Sequence, residues 1–418
     1  MNRNLIGFTR RDFLRTSLLA SAGVGFPLLS NISMTNNIWG AALDSTNDRI
    51  LIVLELGGGN DGLNTVAPYG DDAYHRARPQ IGLQQNQILP LNDYIGLHQN
   101  LSGLKNLYDQ GNLAVINGVG YPDPDRSHFR SMEIWRTASD SDKYEHYGWI
   151  GRYFDEIYSP KSDPLYGVAI SSDFPDSFHC RDGLGVAFKR AAQFRWQEGN
   201  ANDREELFRR LNKSGGGHYD DERDVLYFMR NVTSNIARSS DRVIDIANQR
   251  RRSVDYPRGN PLATDLNTVA DLIVGGLPTR IYYVTFTGFD THAAQPNTHQ
   301  RLLQQFGDAV EAFHNDLERN NLSGRVLMVC FSEFGRRVAE NASQGTDHGT
   351  AGPMFVMGKN IKPGLHGKYP SLDQLDSNGD LKHEVDFRAV YQTVLESWLQ
   401  ADAQKVLGRD FSNLGIVA

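Results

Sequence analysis

The chain carries five short, nearly continuous apolar runs, each joined to a glycine-rich or polar loop. Arg49–Leu56 leads into Gly57-Gly58-Gly59-Asn60-Asp61-Gly62, and Leu113–Val119 into Tyr121-Pro122-Asp123-Pro124-Asp125-Arg126-Ser127-His128. Arg280–Thr287 leads into Gly288-Phe289-Asp290-Thr291-His292, and Arg325–Phe331 into Ser332-Glu333-Phe334-Gly335. The fifth run, Pro353–Met357, follows Gly345-Thr346-Asp347-His348-Gly349. β-Branched runs without alternation predict strands buried on both faces. Mixed periodicity between them predicts helices over Leu101–Gln110, Thr298–Asn320 and Phe387–Leu399. Together these elements predict a three-layer α/β fold, a mainly parallel sheet with helices on both faces.

Two segments break the pattern. From 172 to 264 the chain is rich in Arg, Asp and Asn and includes Ser214-Gly215-Gly216-Gly217, which reads as a polar helical insertion on a single α/β domain spanning 43–418. Residues 1–42 hold Arg10-Arg11 ahead of Phe13-Leu14, then a mildly apolar stretch from Thr16 to Leu29, then Gly40-Ala41-Ala42. That stretch falls short of the about 20 apolar residues a spanning helix needs. It reads as a twin-arginine export signal ending at a small-residue site, with an ordinary amphipathic first helix as the competing reading. Export places the product in the periplasm or outside the cell, and no later run approaches spanning length.

Composition narrows the function classes. A net charge of −7 disfavours a nucleic-acid binder, which needs a concentrated basic face. With 2 cysteines the chain has no disulfide framework, and Cys330, inside an apolar run, reads as a buried thiol. The Phe129–Trp135 stretch reads as core.

Chemically capable side chains gather at the run ends, where open α/β sheets bind ligands. They are Asp61, Ser127-His128, Asp290 and His292, Glu333, and Asp347-His348. Carboxylates and imidazoles from separate loops are what a divalent-ion site requires. In extended backbone Asp290 and His292 face the same way, since side-chain direction has period two. Each residue also has a plain reading. Asp61 suits a turn, Asp290, Asp347 and Ser127 suit helix caps, and Glu333 suits pairing with Arg336 or Arg337. It is their recurrence at five ends that favours a site. The glycine run does not fit the dinucleotide fingerprint, and there is no phosphate-loop lysine and no Gly-x-Ser-x-Gly elbow.

Besides the export signal, five motifs carry a resemblance: Leu56–Thr65 (LGGGNDGLNT), Arg126–Arg130 (RSHFR), Gly288–His292 (GFDTH), Phe331–Arg336 (FSEFGR) and Thr346–Pro353 (TDHGTAGP). Together they resemble the bacterial domain-of-unknown-function 1501 family and, more distantly, the alkaline phosphatase and sulfatase superfamily. The resemblance implies an exported metal-dependent hydrolase of a phosphate, sulfate or related ester. It implies one or two divalent ions per chain, with Zn²⁺ expected and Mn²⁺ or Ca²⁺ as alternatives. Asp61 then matches a ligand of the second metal, and Asp290, His292 and His348 match ligands of the first. Glu333-Phe334 stands where the superfamily has Asp-His; alternatively Asp347-His348 is that pair, displaced. Ser127 matches the nucleophile, with Ser332 second. Arg126, His128 and Arg130 are placed to meet negative charge on a small anionic ester. The other reading is a non-catalytic exported protein of the same fold, binding a surface glycan or a partner such as an exported protein encoded nearby.

Overall fold

The computed structural model describes residues 48–159, 162–181, 184–191, 239–240, 242–249 and 254–417. The export segment 1–42 and, within the polar stretch, residues 192–238 lie outside the described residues. Residues 48–189 and 249–418 belong to one compact unit, which holds every strand named below.

The apolar runs become strands. In chain order they are β1 (Ile50–Gly57), β2 (Val66–Ala67), β3 (Ile88–Pro90), β4 (Gly96–His98), β5 (Leu113–Gly120), β6 (Gly167–Ile170), β7 (Val186–Ala187), β8 (Ile281–Thr287), β9 (Val326–Phe331), β10 (Gly352–Met357), β11 (Gly364–His366) and β12 (Val385–Asp386). Nine form one sheet in the order β11-β5-β10-β9-β1-β8-β6-β7, with β12 also on β5, while β2-β4-β3 is a small separate sheet. β1 lies parallel between β8 (Leu51 opposite Ile281) and β9 (Ile50 opposite Val326), and all eight of its residues are buried.

Helices cover both faces. Leu51 and Val53 on one face join a core with Trp135, Trp149, Phe154, Tyr391 and Trp398 from the helices His128–Thr137 and Trp149–Ile157 and the segment 387–399. The other face carries Ser102–Asp109, Pro261–Val274 and Gln295–Arg319, the last packing on each of the other two. Local chemistry starts these helices where they start. Asn260, for example, caps Pro261–Val274 by accepting from the Ala263 N–H at 3.2 Å, and Pro261 fills a first-turn position that needs no donor. Segment 387–399 is α-helical over Phe387–Thr393 and closes with a π turn, Val394–Trp398.

Three expectations change. β10 runs antiparallel to both neighbours, with Phe355 opposite Cys330 and Met357 opposite Leu113. No helix lies in the connection from β9 to β10, and an antiparallel return needs no crossover. As a result the start of β10 lies at the carboxyl edge of the parallel strands, so the loop before it opens onto the same edge as the loops after β1, β8 and β9. The sheet unit also reaches into the polar stretch from both sides, through β7 and the helix Pro261–Val274. Third, Trp135 is core, but Phe129 in the first turn of its helix is 80% exposed. Cys180 and Cys330 are both buried. No helix among the described residues is long and apolar enough to cross a membrane.

Candidate metal centre

The turn after β1 is built for close approach. Gly58 has φ +118° and Gly59 φ +70°; a Cβ on Gly58 would lie 2.5 Å from the Asp290 nitrogen, and one on Gly59 would enter the Phe334 ring. Into this gap comes Arg336, fully buried. Its Nε donates to the Gly59 carbonyl (2.6 Å) and its Nη1 to that of Thr346 (2.8 Å). Its Nη2 donates to the carbonyls of Gly58 and Phe289 (the latter at 3.1 Å) and to Asp290 Oδ1 at 2.7 Å. One guanidinium thus ties three strand-end loops together and fixes Asp290. Sequence reasoning weighed Arg336 only as a partner for Glu333; the structure gives it to Asp290 instead.

Three imidazoles surround that carboxylate. His128 Nε2 lies 3.4 Å from Asp290 Oδ2, while His292 Nε2 and His348 Nε2 lie 3.0 and 3.3 Å from Oδ1. His292 Nε2 and His348 Nε2 are 3.0 Å apart. Phe334 packs against His128 and His348, with ring centroids 4.9 and 4.7 Å away.

Each imidazole is held from behind through its other nitrogen. His128 Nδ1 meets Glu333 Oε1 at 2.7 Å, His292 Nδ1 meets Asp347 Oδ1 at 3.1 Å, and His348 Nδ1 meets the Arg126 carbonyl at 2.7 Å. Carboxylates and carbonyls only accept, so each Nδ1 carries the hydrogen. The neutral Nε2 atoms then present lone pairs to one another and to Asp290. A cation placed among these acceptors would stabilise them, in addition to the Arg336 guanidinium that already reaches Asp290 Oδ1. A tetrahedral ion with bonds of 2.0–2.1 Å sets its ligand atoms ~3.3 Å apart; the contacts of Asp290 with the three imidazoles and of His292 with His348, 3.0 to 3.4 Å, lie near that value. Moreover, His128 Nε2 is enclosed and has no hydrogen-bond partner. His128, Asp290 and His348 offer ligand atoms that all lie within 4.8 Å of one another, and His292 flanks them. A metal-bound histidine ordinarily donates its second N–H to a carboxylate or carbonyl, so the donor set and its supports both fit a metal ion.

Electrostatics agree. Burial pushes the Asp290 carboxyl up, but the hydrogen bond and charge of Arg336 outweigh it and hold the group at about 2. Burial lowers His348, whereas the Glu333 hydrogen bond raises His128. Asp347 is lowered by its bond to His292.

The remaining sequence-predicted residues fall elsewhere. Glu333, fully buried, also accepts from the Gly58 N–H at 2.9 Å and stands behind His128, as Asp347 stands behind His292; neither is among the four facing atoms. Asp61 is not in the cluster. It is fully buried, 2.6 Å from Arg78 Nη1, with Oδ2 also accepting from Gln295 at 2.5 Å. Burial pushes this carboxyl up, but Arg78 and Gln295 more than compensate and it lies below its usual range. Asp61 Oδ2 is thus taken by Arg78 and Gln295 while its Oδ1 is buried with no hydrogen-bond partner, and Glu333 is taken by the His128 imidazole.

Ser127 caps the ten-residue helix His128–Thr137 through its backbone; its hydroxyl makes no capping bond and the residue is exposed. Ser332 donates to the Leu56 carbonyl at 2.6 Å and accepts from the Asn60 N–H at 2.8 Å, so its hydroxyl ties β1 to β9. Arg126 and Arg130 correct the expectation of an anion clamp. Arg126 pairs with Asp380, Nε to Oδ2 at 2.8 Å. Arg130 pairs with Glu133 at 3.2 Å, donates to the Ser141 carbonyl at 2.9 Å and stacks on Tyr144 at 3.9 Å.

Fold and site together define a class, an α/β protein with a histidine–carboxylate centre at the carboxyl edge of its sheet. The chain belongs to the family described as a protein of unknown function, DUF1501, whose model matches residues 117–411. No curated protein matches it. Among solved structures, it is similar to Ps i-CgsB in complex with k-i-k-neocarrahexaose, at 12% identity over 88% of this chain and 75% of that one, with a TM-score of 0.41. It is similar to the C-terminal periplasmic domain of EcEptC from Escherichia coli, at 12% identity over 88% of each chain, TM-score 0.40. It is also similar to a protein in the alkaline phosphatase superfamily from Vibrio parahaemolyticus, at 11% identity over 87% of this chain and 69% of that one, TM-score 0.34.

Proposed function

We propose that this chain is an exported metal-dependent hydrolase of a phosphate, sulfate or related ester. The observation that carries the reading is the meeting of three Nδ1-anchored imidazoles at Asp290. His128, Asp290 and His348 would hold the ion, with His292 beside them. Three imidazole nitrogens and a carboxylate suit Zn²⁺ or Mn²⁺ better than Ca²⁺, which takes oxygen ligands. When bound, such an ion supplies Lewis acidity toward the oxygens of the ester.

The chain's own groups have distinct tasks. Ser127, exposed beside His128, is the nucleophile: its hydroxyl gives up its proton to solvent as its oxygen bonds to the central atom. The leaving oxygen departs with the electron pair of the broken bond and takes a proton from water, and a second water then frees the transferred group and restores the serine. The first N–H groups of the ten-residue helix behind it receive the anionic oxygens, since they have no partner within the helix. Glu333 holds His128 in one tautomer, and Arg336 keeps Asp290 ionised and in place. Export rests on Arg10-Arg11 and the segment around them.

Elemental mass spectrometry on the mature protein, purified without chelators, tests this reading. The expected result is about one Zn²⁺ or Mn²⁺ per chain, lost in His348→Ala, together with turnover of an aryl phosphate or aryl sulfate. Folded protein that holds no metal, even when metal is supplied, would sink it.

One observation favours a second reading. Arg126 and Arg130, the cations expected to grip an anion, are both engaged by protein groups. A non-catalytic metal-bearing protein that binds a surface glycan or an exported partner needs no such grip. It predicts metal without turnover, and capture of the partner that survives Ser127→Ala.

A further inference from the structure

Of the three imidazoles, His348 is the one whose Nδ1–H goes to a main-chain oxygen, that of Arg126. Where that oxygen sits determines where His348 Nε2 points. Yet Arg126 lies in the irregular segment between β5 and the helix at 128, where no ladder or helix bond fixes the backbone. A local turn spans it, the Ser127 N–H donating to Asp125 Oδ1 at 2.7 Å, and the Arg126 side chain anchors that turn to the rest of the fold. Arg126 Nε donates to Asp380 Oδ2 at 2.8 Å, Nη2 donates to the same oxygen, and Asp376 Oδ2 is 3.4 Å away. Such charge-assisted bonds are about twice as strong as neutral ones.

Asp380 is fully buried and its turn is braced. Asp376 Oδ1 accepts from the Asn378 N–H (2.8 Å) and the Asp380 N–H (2.9 Å), and the Asp376 N–H donates to the Asp380 carbonyl at 2.9 Å. The next residue, Leu381, offers its carbonyl to the Thr350 hydroxyl, two positions after His348. Segment 376–381 therefore grips the His348 loop twice, once through Arg126 and once through Thr350.

We infer that Asp380, acting through Arg126, is a positioning residue for His348, and that the turn at 376–381 sets the geometry of the metal centre from outside it. This rests on the metal-binding reading above. It recasts Arg126, which the motif pattern casts as an anion clamp, as a strut whose side chain faces away from the site and whose carbonyl faces in.

The test is titration of the full-length mature protein with Co²⁺, followed by its visible absorption, and with Zn²⁺ against a chromophoric chelator. Asp380→Asn and Arg126→Leu both weaken the link while leaving the Arg126 carbonyl present. Each is expected to bind metal about 10–100-fold more weakly than wild type, with a shifted Co²⁺ band. Asp265→Asn is the control. It disturbs a comparably buried carboxylate, on the helix Pro261–Val274 and paired with Lys189 at 2.6 Å, and should leave affinity and spectrum unchanged. Wild-type affinity and spectrum in both link variants would overturn the positioning role and leave the metal centre standing. Equal weakening in Asp265→Asn would reduce the effect to general destabilisation and overturn it as well. Failure of wild type to bind Co²⁺ or Zn²⁺ would overturn the metal centre itself. If Asp380→Asn does not fold, Arg126→Leu reads the same link alone.

Discussion

Glu333 Oε1 stands 2.7 Å behind His128 Nδ1, with the imidazole between it and Asp290. In the proposed metal centre a carboxylate in that place would not bind the ion; it would select the tautomer that can. Glu333→Gln keeps the shape and removes the charge. Metal affinity is expected to fall about 10–100-fold while the fold persists, read by chelator competition alongside circular dichroism.

Removing the metal should also cost stability. An ion that binds only the folded chain stabilises it by ~2.7 kcal/mol at a hundredfold excess over its Kd. Mature protein dialysed against a chelator is therefore expected to melt at a lower temperature and to recover on adding Zn²⁺ or Mn²⁺, but not in His348→Ala.

Ser127 and Ser332 separate in the same pair of measurements. Ser127→Ala is expected to abolish ester turnover with metal content and Tm unchanged, because its hydroxyl makes no capping bond. Ser332→Ala leaves the Asn60 N–H without its hydroxyl partner and is expected to cost about 1–3 kcal/mol in urea unfolding. Loss of turnover in Ser332→Ala, with Ser127→Ala active, would exchange the two roles.

Arg78 and Asp61 make a prediction about pH. The folded Asp61 carboxyl lies below its ordinary value of 3.8, so the pair's stabilisation is present above that value and fades as pH falls through the lower, folded one. Arg78→Met strands a buried carboxylate and should cost about 3–5 kcal/mol near neutrality. Burial alone then raises the Asp61 pKa, so the sign reverses and the variant should become more stable on mild acidification. Urea midpoints between pH 4 and 8 check this; a variant with the wild-type slope would refute it.

Arg130→Ala is expected to leave turnover within a few-fold of wild type, since its guanidinium serves Glu133, Tyr144 and nearby carbonyls. A selective rise in KM would restore it to substrate binding.

The strands and the three helices were legible because long apolar runs leave few alternatives. The direction of β10 was not, since a run reads the same in either sense and only its connection tells. Asp290 and His292 do meet, at 3.0 Å, although His292 stands in a bend and not in the extended backbone that period-two spacing assumes. The division of labour between Asp290 and the carboxylates of Glu333 and Asp347 was not legible, because ligand and support share one chemistry and differ by a single imidazole in depth. Arg126, Arg130 and Arg336 sit in or beside the motifs, but their long side chains reach partners that sequence spacing does not register.

Arg336 carries a consequence for how the centre comes apart. A single buried side chain receives the loops at 58–59, 289–290 and 346, so none of them opens without breaking bonds to a group the others share. Their amides should exchange with solvent hydrogen as one unit, with a common opening free energy, in place of the graded fraying usual for surface loops. The centre is accordingly an all-or-none object, assembled whole or absent.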